Sequence, residues 1–573
     1  MSKWGFTNKT AGLKPWGLQP KWLKADKTIT DPIHGDIYLT KLERTLVDSP
    51  SFQRLRRVRQ LGTTHLVYPG ATHTRFQHSL GALRVAQDVF DNLVENSLVE
   101  SPAEPRPGGN LFLEWREEED YERLACEALV LARLGALLHD MCHVPYGHTV
   151  EDDNGLLTPH DRNAERFDAF WSDFDEDAIG ALDQDGLKDE LRHLILSKEE
   201  TDFQSRYPFV SDIVGNTICA DLVDYLWRDY YFTGLPGKLG TRFLSYFFVT
   251  SSEDPDWPSH MALRISKKNR LRADVISEVL KYLRYRYELG ERALRHHAKV
   301  AADTMLAKSV SMMIERVGKP KVEAAFRKYG DDGILDYLID EGDGGVAELA
   351  RRVRDRRLYK PVAISASGQT YLDRDRLYKS FGGVAGRTEV EDKLAELMEL
   401  PNNWQALVLV PNPKMSLKAA DVLVRAKKST CKLREWDELN GKRANEIYES
   451  HERLWSIQLF VDPELEDAKQ MRAKAYVEDN LRIDWDDETP DNPVSHVLEL
   501  AMEELIREHA GWGDVERELM LESMTASKRL SAGAPSALPI SELKSLLEGA
   551  VPKRKRKVTP PPDKPQDTLL ENE

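Results

Sequence analysis

The feature that most constrains this chain is an apolar helical stretch that runs straight into a histidine and a carboxylate. Leu124, Ala128, Leu131, Gly135 and Leu138 recur at helical spacing and predict a single apolar face. His139 and Asp140 follow at once. A rigid, core-packed element would therefore carry both groups to its end. Neutral imidazole beside carboxylate suits a divalent transition metal. A mixed nitrogen and oxygen set favours Fe, Mn, Co, Ni or Zn over Ca, which prefers oxygen alone.

A lone His-Asp dipeptide is most often a satisfied helix end. This one has company. Six of the 15 histidines (His73, His78, His139, His143, His148, His160) sit in three short segments, THTRFQHSLG at 72–81, ALLHDMCHVPYGHTVED at 136–152 and TPHDRNAERF at 158–167. A fourth segment, ADLVDYLWRD at 220–229, supplies a distant Asp221. Together they offer an H…HD…D set of four ligands.

Charge narrows what such a site can bind. Lys and Arg number 80 against 96 Asp and Glu, a formal charge of −16. That excludes bulk electrostatic binding to DNA or an anionic membrane, so any phosphate must be held by a local cationic pocket. The four cysteines (Cys126, Cys142, Cys219, Cys431) form no CxxC pair and fit a reducing compartment. No apolar run approaches the roughly 20 residues of a membrane span, and the N-terminus lacks the apolar stretch of a secretory signal. The location expected is cytoplasmic, with a nuclear alternative only if PKRKRKV at 552–558 acts as a signal. That basic run is also the one feature suggesting nucleic acid.

The expected fold is mainly α, with 573 residues allowing about three to five compact units. An irregular arm covers 1–25, with a helical catalytic domain over 26–318. The stretch 273–317 predicts one or two long helices. A helical connector covers 319–354. Short β-like runs at 406–410, 421–425 and 456–461 predict a separate α+β lobe over 355–530 that supports assembly. Surface loops are expected at 101–110 and 234–240. A disordered tail over 531–573 is expected to hold at most a short helix near 540–549.

Five motifs carry a resemblance: DPIHGDIYL at 31–39, SPSFQRLRRVRQLG at 49–62, VYPGATHTRFQHSLG at 67–81, HDMCHVPYGH at 139–148 and DYLWRD at 224–229. Over about 27–310 the chain resembles HD-domain phosphohydrolases, in particular the sterile-alpha-motif and HD-domain dNTP triphosphohydrolases and prokaryotic dGTPase-like proteins. The resemblance implies a divalent metal (Mn, Fe, Mg, Co, Ni or Zn) on His78, His139, Asp140 and Asp221. It implies His143, His148 and His160 beside the scissile phosphate, with Glu151 as the carboxylate partner of His148. Gln60, Arg75, Tyr225, Asp229 and Arg286 are implied substrate contacts. Lys27, Asp48, Gln53 and Arg56 match a guanine-nucleotide regulatory site, and a homo-oligomer is implied.

The implied reaction is hydrolysis of a (deoxy)nucleoside triphosphate to nucleoside and inorganic triphosphate. The alternatives are phosphodiesterase or nucleotidase chemistry on the same metal set, or a silent nucleotide- or nucleic-acid-binding module. The chain departs from the family pattern at Leu222, at Gly290 and in Ala293-Leu294-Arg295, which bears on base and sugar selection.

Overall fold

The computed structural model describes residues 13–99, 110–196, 202–267, 270–366, 370, 372–413, 421–426, 429–440, 442–483, 493–509, 512, 515–520 and 540–551. The expected mainly α architecture is what it shows. It opens with a hairpin, β1 (Ala25–Asp31) and β2 (Gly35–Thr40), and then α1 (Lys41–Val47) and α2 (Pro50–Arg54). Thr40 starts α1 with a capping box. Its hydroxyl accepts from the Glu43 amide while the Glu43 carboxylate accepts from the Thr40 amide.

The helices of the first core include α3 (Arg75–Val99), α4 (Tyr121–Leu138), α5 (Ala164–Trp171) and α6 (Pro208–Gly215). The apolar stretch read from sequence is α4, and it is buried from Cys126 to Leu138. Gly135 lets α6 and a neighbouring helix close in. A Cβ there would lie 2.7 Å from Leu194 Cδ1 and 3.3 Å from a Val214 methyl. A buried ion pair lies within the core. Arg133 donates to both Glu43 oxygens at 2.7 and 2.8 Å, and to Gln87 at 2.8 Å.

α7 (Ala220–Thr233) crosses α3 at Gly81. A side chain at Gly81 would collide with Asp224 and Arg228, so the helices meet there only because the position is glycine. The small strands β3 (Phe247–Val249) and β4 (Met261–Arg264) follow. The long helical stretch then resolves into two helices, α8 (Ala273–Leu289) and α9 (His297–Val317), separated by a π-helical turn at Gly290–Leu294. The connector is three helices, α10 (Lys319–Lys328), α11 (Asp331–Asp340) and α12 (Gly344–Arg354), which share a core with α9 and with Val144, Tyr146 and Val150.

Beyond it lie β5 (Lys360–Ser365), α13 (Val384–Met398), β6 (Ala406–Leu409), β7 (Leu423–Ala426), β8 (Ser429–Lys432), α14 (Leu433–Asn440), α15 (Arg443–Glu452), β9 (Ile457–Val461), α16 (Asp467–Leu481), α17 (Pro493–Glu508) and α18 (Ile540–Gly549). β5, β9 and β6 form an antiparallel sheet in that order.

Two expected regions join the rest of the chain more closely than their sequences predict. The stretch after 355 has a core of its own around Leu377, Leu394, Val408, Leu459 and Val477, but part of it completes the first core. β7 pairs in parallel with β4, giving a sheet ordered β8-β7-β4-β3, and Val422, Val424, Leu433 and Ala444 lie in the first core. A four-residue buried strand has no face of its own to hide against and completes a sheet elsewhere. Residues 13–24 are irregular apart from a short turn at Pro15–Gly17, as expected of the arm, yet they are packed. Trp16, Leu18, Trp22 and Leu23 are buried, and the Trp16 indole donates to the Glu127 carbonyl at 2.8 Å. Near the other end, α18 packs Leu543 and Leu547 against Met502 and Leu505 of α17. The remainder of the expected tail, the loop at 101–109 and the basic run at 552–558 lie outside the described residues. Among the described residues, no helix is long and apolar enough to cross a membrane.

Candidate metal centre and active site

Each of the four expected ligands sits at the start or end of a buried helix. His78 lies one turn into α3, His139 caps α4, Asp140 follows it, and Asp221 is in the first turn of α7. Their ligand atoms converge. His78 Nε2 lies 3.2 Å from His139 Nε2, 3.0 Å from Asp221 Oδ1 and 3.7 Å from Asp140 Oδ2. His139 Nε2 lies 3.4 Å from Asp140 Oδ1 and 3.6 Å from Asp221 Oδ1.

The outer nitrogens explain the direction of the rings. His139 Nδ1 is 2.8 Å from the Ala136 carbonyl, and His78 Nδ1 is 2.7 Å from Asp224 Oδ2. A proton on each Nδ1 turns both Nε2 lone pairs inward, toward each other and toward two carboxylates. Four facing lone-pair atoms repel unless a cation lies among them. The arrangement therefore fits a divalent ion, and its His/Asp chemistry is that of transition-metal sites. The same demand for positive charge appears in titration. Burial opposes a charged His78, yet the bonds to Asp221 and Asp224 and the charge of Asp140 push its pKa up to about 10. Burial also opposes charge on Asp140 and Asp221. The Arg75 guanidinium on one, and hydrogen bonds from His139 and His78 on the other, hold both well below the usual carboxylate range.

A second group surrounds the turn after Asp140. The rings of His143 and His160 stack at 3.4 Å, and their Nδ1 atoms lie 3.6 and 3.5 Å from Glu151 Oε2. His143 is driven well below the ordinary histidine value by burial and by the charges of Arg75 and His160. His148 lies at the mouth with its side chain 55% exposed.

Here the structure corrects the pairing expected from spacing. Glu151 is not the partner of His148; Asp152 is, with Oδ2 2.8 Å from His148 Nδ1. Residues His148–Asp153 form a π-helical turn, whose wider spacing carries the fourth residue, not the third, over the first. Glu151 turns inward instead and pairs with Arg166. Enclosure works against the imidazolium, but the bond to Asp152 and its charge prevail and raise the pKa of His148. Before the turn comes Tyr146, a buried tyrosine with φ of 53°. Two buried arginines pin the segment between Asp140 and Tyr146. Arg54 donates to the Met141 and His143 carbonyls at 3.0 and 2.7 Å, and Arg166 donates to the Cys142 carbonyl at 3.0 Å.

The expected substrate contacts lie around this cluster. Arg75 is buried with Nη1 2.6 Å from Asp140 Oδ2. The Gln60 Oε1 is buried without a hydrogen-bond partner. Tyr225, one turn beyond Asp221, is edge-on to His78 with ring centroids 6.5 Å apart, and burial raises its pKa. Arg286 lies in the last turn of α8, and its charge acts on Tyr225. Asp229 instead faces away into a buried bond with His73 Nε2 at 2.7 Å. Of the expected regulatory residues, Lys27 is exposed on β1 and Asp48 pairs with Arg44 at 2.7 Å. Gln53 donates to the Val47 carbonyl and accepts from Arg56, each at 2.8 Å.

Sequence reasoning singled out none of Asp31, His34, Asp224 and Arg228. Asp224 accepts from His78, from His34 at 2.6 Å and from Arg228, which in turn binds Asp31. The signal was present: DPIHGDIYL and DYLWRD are the motifs whose polar residues meet here.

Comparison with known proteins gives independent support. Residues 287–489 match a family described as an HD associated region. An uncharacterized protein of Methanocaldococcus jannaschii is 26% identical over 444 residues, covering 76% of this chain and 80% of that protein. The deoxynucleoside triphosphate triphosphohydrolase SAMHD1 of Danio rerio is 30% identical over 410 residues, covering 65% of this chain and 58% of that protein. A solved structure of a hypothetical protein from Aquifex aeolicus shares the fold, with a TM-score of 0.53 at 19% identity, over 78% of this chain and 99% of that one.

Proposed function

We propose that this chain, which belongs to the HD phosphohydrolase superfamily, hydrolyses (deoxy)nucleoside triphosphates to nucleoside and inorganic triphosphate. The observation that carries the reading is the closeness of two devices. Asp140 of the H…HD…D cluster lies 3.4 Å from His143 Nε2, the His143 ring lies 5.4 Å from that of His148 in the His148–Asp152 pair, and the buried Arg75 guanidinium lies against Asp140. Similarity to proteins named as dNTP triphosphohydrolases supports it.

His78, His139, Asp140 and Asp221 would hold the divalent ion. When bound, the ion supplies Lewis acidity for the water nucleophile and for a phosphoryl oxygen. The water oxygen bonds to the α-phosphorus and gives up a proton to solvent as the bond from phosphorus to the 5′-oxygen breaks. His148, held as imidazolium by Asp152, gives its proton to the departing 5′-oxygen. Arg75 and Arg286 bind phosphate oxygens, for which the planar guanidinium is suited. His143, kept neutral by burial and by the charges beside it, and His160 meet the α-phosphoryl group by hydrogen bonding. Gln60 and Tyr225 line the sugar side.

Activation by a guanine nucleotide at Lys27, Asp48, Gln53 and Arg56, and assembly into a homo-oligomer, belong to the same proposal. A panel of dNTPs and NTPs with Mn, Mg, Co, Fe, Ni and Zn, read by product chromatography, tests it. Released triphosphate is the expected product. Orthophosphate, or cleavage of a phosphodiester alone, would replace this reading by another HD-type activity. Added GTP, with light scattering for mass, tests the regulatory part.

A further inference from the structure

The turn that carries His148 is held from a residue 233 positions further along the chain. The π-helical turn His148–Asp153 ends at Asn154, which is buried. The Asn154 side chain reaches back along the turn, and its Nδ2 donates to the Thr149 carbonyl at 2.7 Å. Thr149 follows His148, so one amide ties the end of the turn to its start. A side-chain amide can rotate and exchange its donor for its acceptor. Arg387 fixes which atom points where. Its Nη1 donates to Asn154 Oδ1, and its Nη2 to the Asn154 carbonyl at 3.4 Å. A guanidinium only donates, so it takes the amide oxygen and leaves Nδ2 for Thr149.

Arg387 stands in the first turn of α13, on a fixed base. One turn later Glu391 pairs with Lys308 of α9 at 2.6 Å, and both side chains are buried. α9 shares its core with Val150, Leu156 and Leu157, on either side of Asn154. The frame that aims Arg387 is thus the frame that supports the turn. Burial works against the Arg387 charge. Placing such a cation on a neutral amide is costly, and an apolar side chain would pack α13 without that cost.

We propose that Arg387 is a positioning residue for the proton donor: it locks the Asn154 amide across the π-helical turn and so keeps His148 on Asp152. The inference rests on the acid role given to His148 above. Its sign differs from that of a through-space charge effect. His148 is faced by Asp152 and Asp153 of its own turn, by Arg75 of α3 and by the His143 ring, while His160 acts on Asp152. Removing the Arg387 cation and nothing else favours the imidazolium and raises the pKa of His148. Releasing the turn weakens the bond to Asp152 and lowers it.

The test compares the full wild-type chain with Arg387→Ala, Arg387→Lys, Asn154→Ala and the double variant Arg387→Ala/Asn154→Ala. Triphosphate release with manganese is followed against pH. The His148 ring is titrated by NMR in protein loaded with diamagnetic zinc, its signal identified by its absence from His148→Asn. In Arg387→Ala the pKa of His148 should fall and the alkaline limb should move to lower pH. The loss in kcat should be about three- to tenfold, the worth of one hydrogen bond, with KM and metal content unchanged. Arg387→Lys, which keeps the charge and a donor, should recover part of the shift. The double variant should match Asn154→Ala, because Arg387 acts through that amide. A His148 pKa that stays or rises in Arg387→Ala overturns the proposal, even where the melting temperature falls. Additive effects of the two substitutions overturn it too. Where Arg387→Ala does not fold, Asn154→Ala decides by the same pKa shift. Wild type that releases no triphosphate sinks the reaction, and the His148 titration still decides the role of Arg387.

Discussion

Replacing Asp152 by Asn separates the two carboxylates that follow His148. The bond from His148 Nδ1 to Asp152 is 2.8 Å long and the histidine side chain is 55% exposed. Hydrogen bonds to charged groups contribute about 1.5–3 kcal/mol. Solvent screening at a half-exposed site places this one near the lower end, ~1.5 kcal/mol. Since ~1.4 kcal/mol is tenfold in rate, Asp152→Asn should cost about tenfold in kcat.

The sign of the pH effect follows from the acid role. Asp152 raises the pKa of His148. The imidazolium is the proton donor, so activity is present below that pKa and lost as pH rises through it. Without the Asp152 charge the alkaline limb of the pH–rate profile moves to lower pH. His148→Asn should cost about 10²–10⁴ in kcat with metal retained. Glu151→Gln should behave differently. It leaves the buried Arg166 without its full partner, so it lowers the melting temperature and kcat and leaves the alkaline limb in place. Triphosphate release against pH, thermal melts and metal content decide the matter. A limb that moves in Glu151→Gln and stays in Asp152→Asn would refute the pairing. Metal loss in His148→Asn would make His148 a ligand. Wild-type turnover there would move the donor role to His160.

Asp140→Ala and Asp221→Ala should lose bound metal by elemental analysis together with activity, and full activity in either would remove the H…HD…D assignment. Asp224→Asn should weaken metal binding by about 10–100-fold in a chelator titration, because it frees the His78 ring that Asp224 orients. Gly81→Ala should destabilise by about 1–3 kcal/mol in denaturant melts, since the new methyl meets Asp224 and Arg228 where α3 and α7 cross; an unchanged midpoint would show that the helices separate freely. A chain cut after Asp355 should lose solubility or melt at lower temperature, because β4 loses its parallel partner β7 and the first core loses Val422, Val424 and Leu433. Wild-type stability in that chain would restore the reading of an independent lobe.

How much of this was legible in sequence depends on the range of the contact. The face of α4 was readable because Leu124 to Leu138 repeat at helical spacing, and the position of His139-Asp140 followed from it. The β-like runs at 406–410 and 456–461 were readable as strands for the same local reason. The β1–β2 hairpin, by contrast, has an exposed first strand with no apolar alternation, so a helix-rich reading passed over it. The partner of β7 was not readable at all. Parallel pairing to β4 joins residues about 160 positions apart in sequence, and no local pattern carries that register. The choice between Glu151 and Asp152 failed for a subtler reason. Adjacent carboxylates at i+3 and i+4 are both within reach of an α-helical residue, and only the π-helical turn selects the second.

The same distinction explains why the ligands were easier to find than the groups that aim them. A ligand atom must be a His or Asp at a helix end, and that choice leaves a signature in residue type and spacing. The aiming groups act through long-range bonds whose sequence cost is a single polar residue each: Arg54 on two carbonyls, Arg166 on Cys142 and Glu151, Asp224 on His78. Buried charges of this kind are strongly destabilising when one partner is lost. Arg228 shows the consequence. It is buried between Asp31 of the opening hairpin and Asp224 of α7, so the hairpin and the His78 ring are joined through this guanidinium as well as through His34, which bonds Asp224 directly. The short DPIHGDIYL segment, remote from every ligand in sequence, thus fixes the direction of a metal-facing nitrogen.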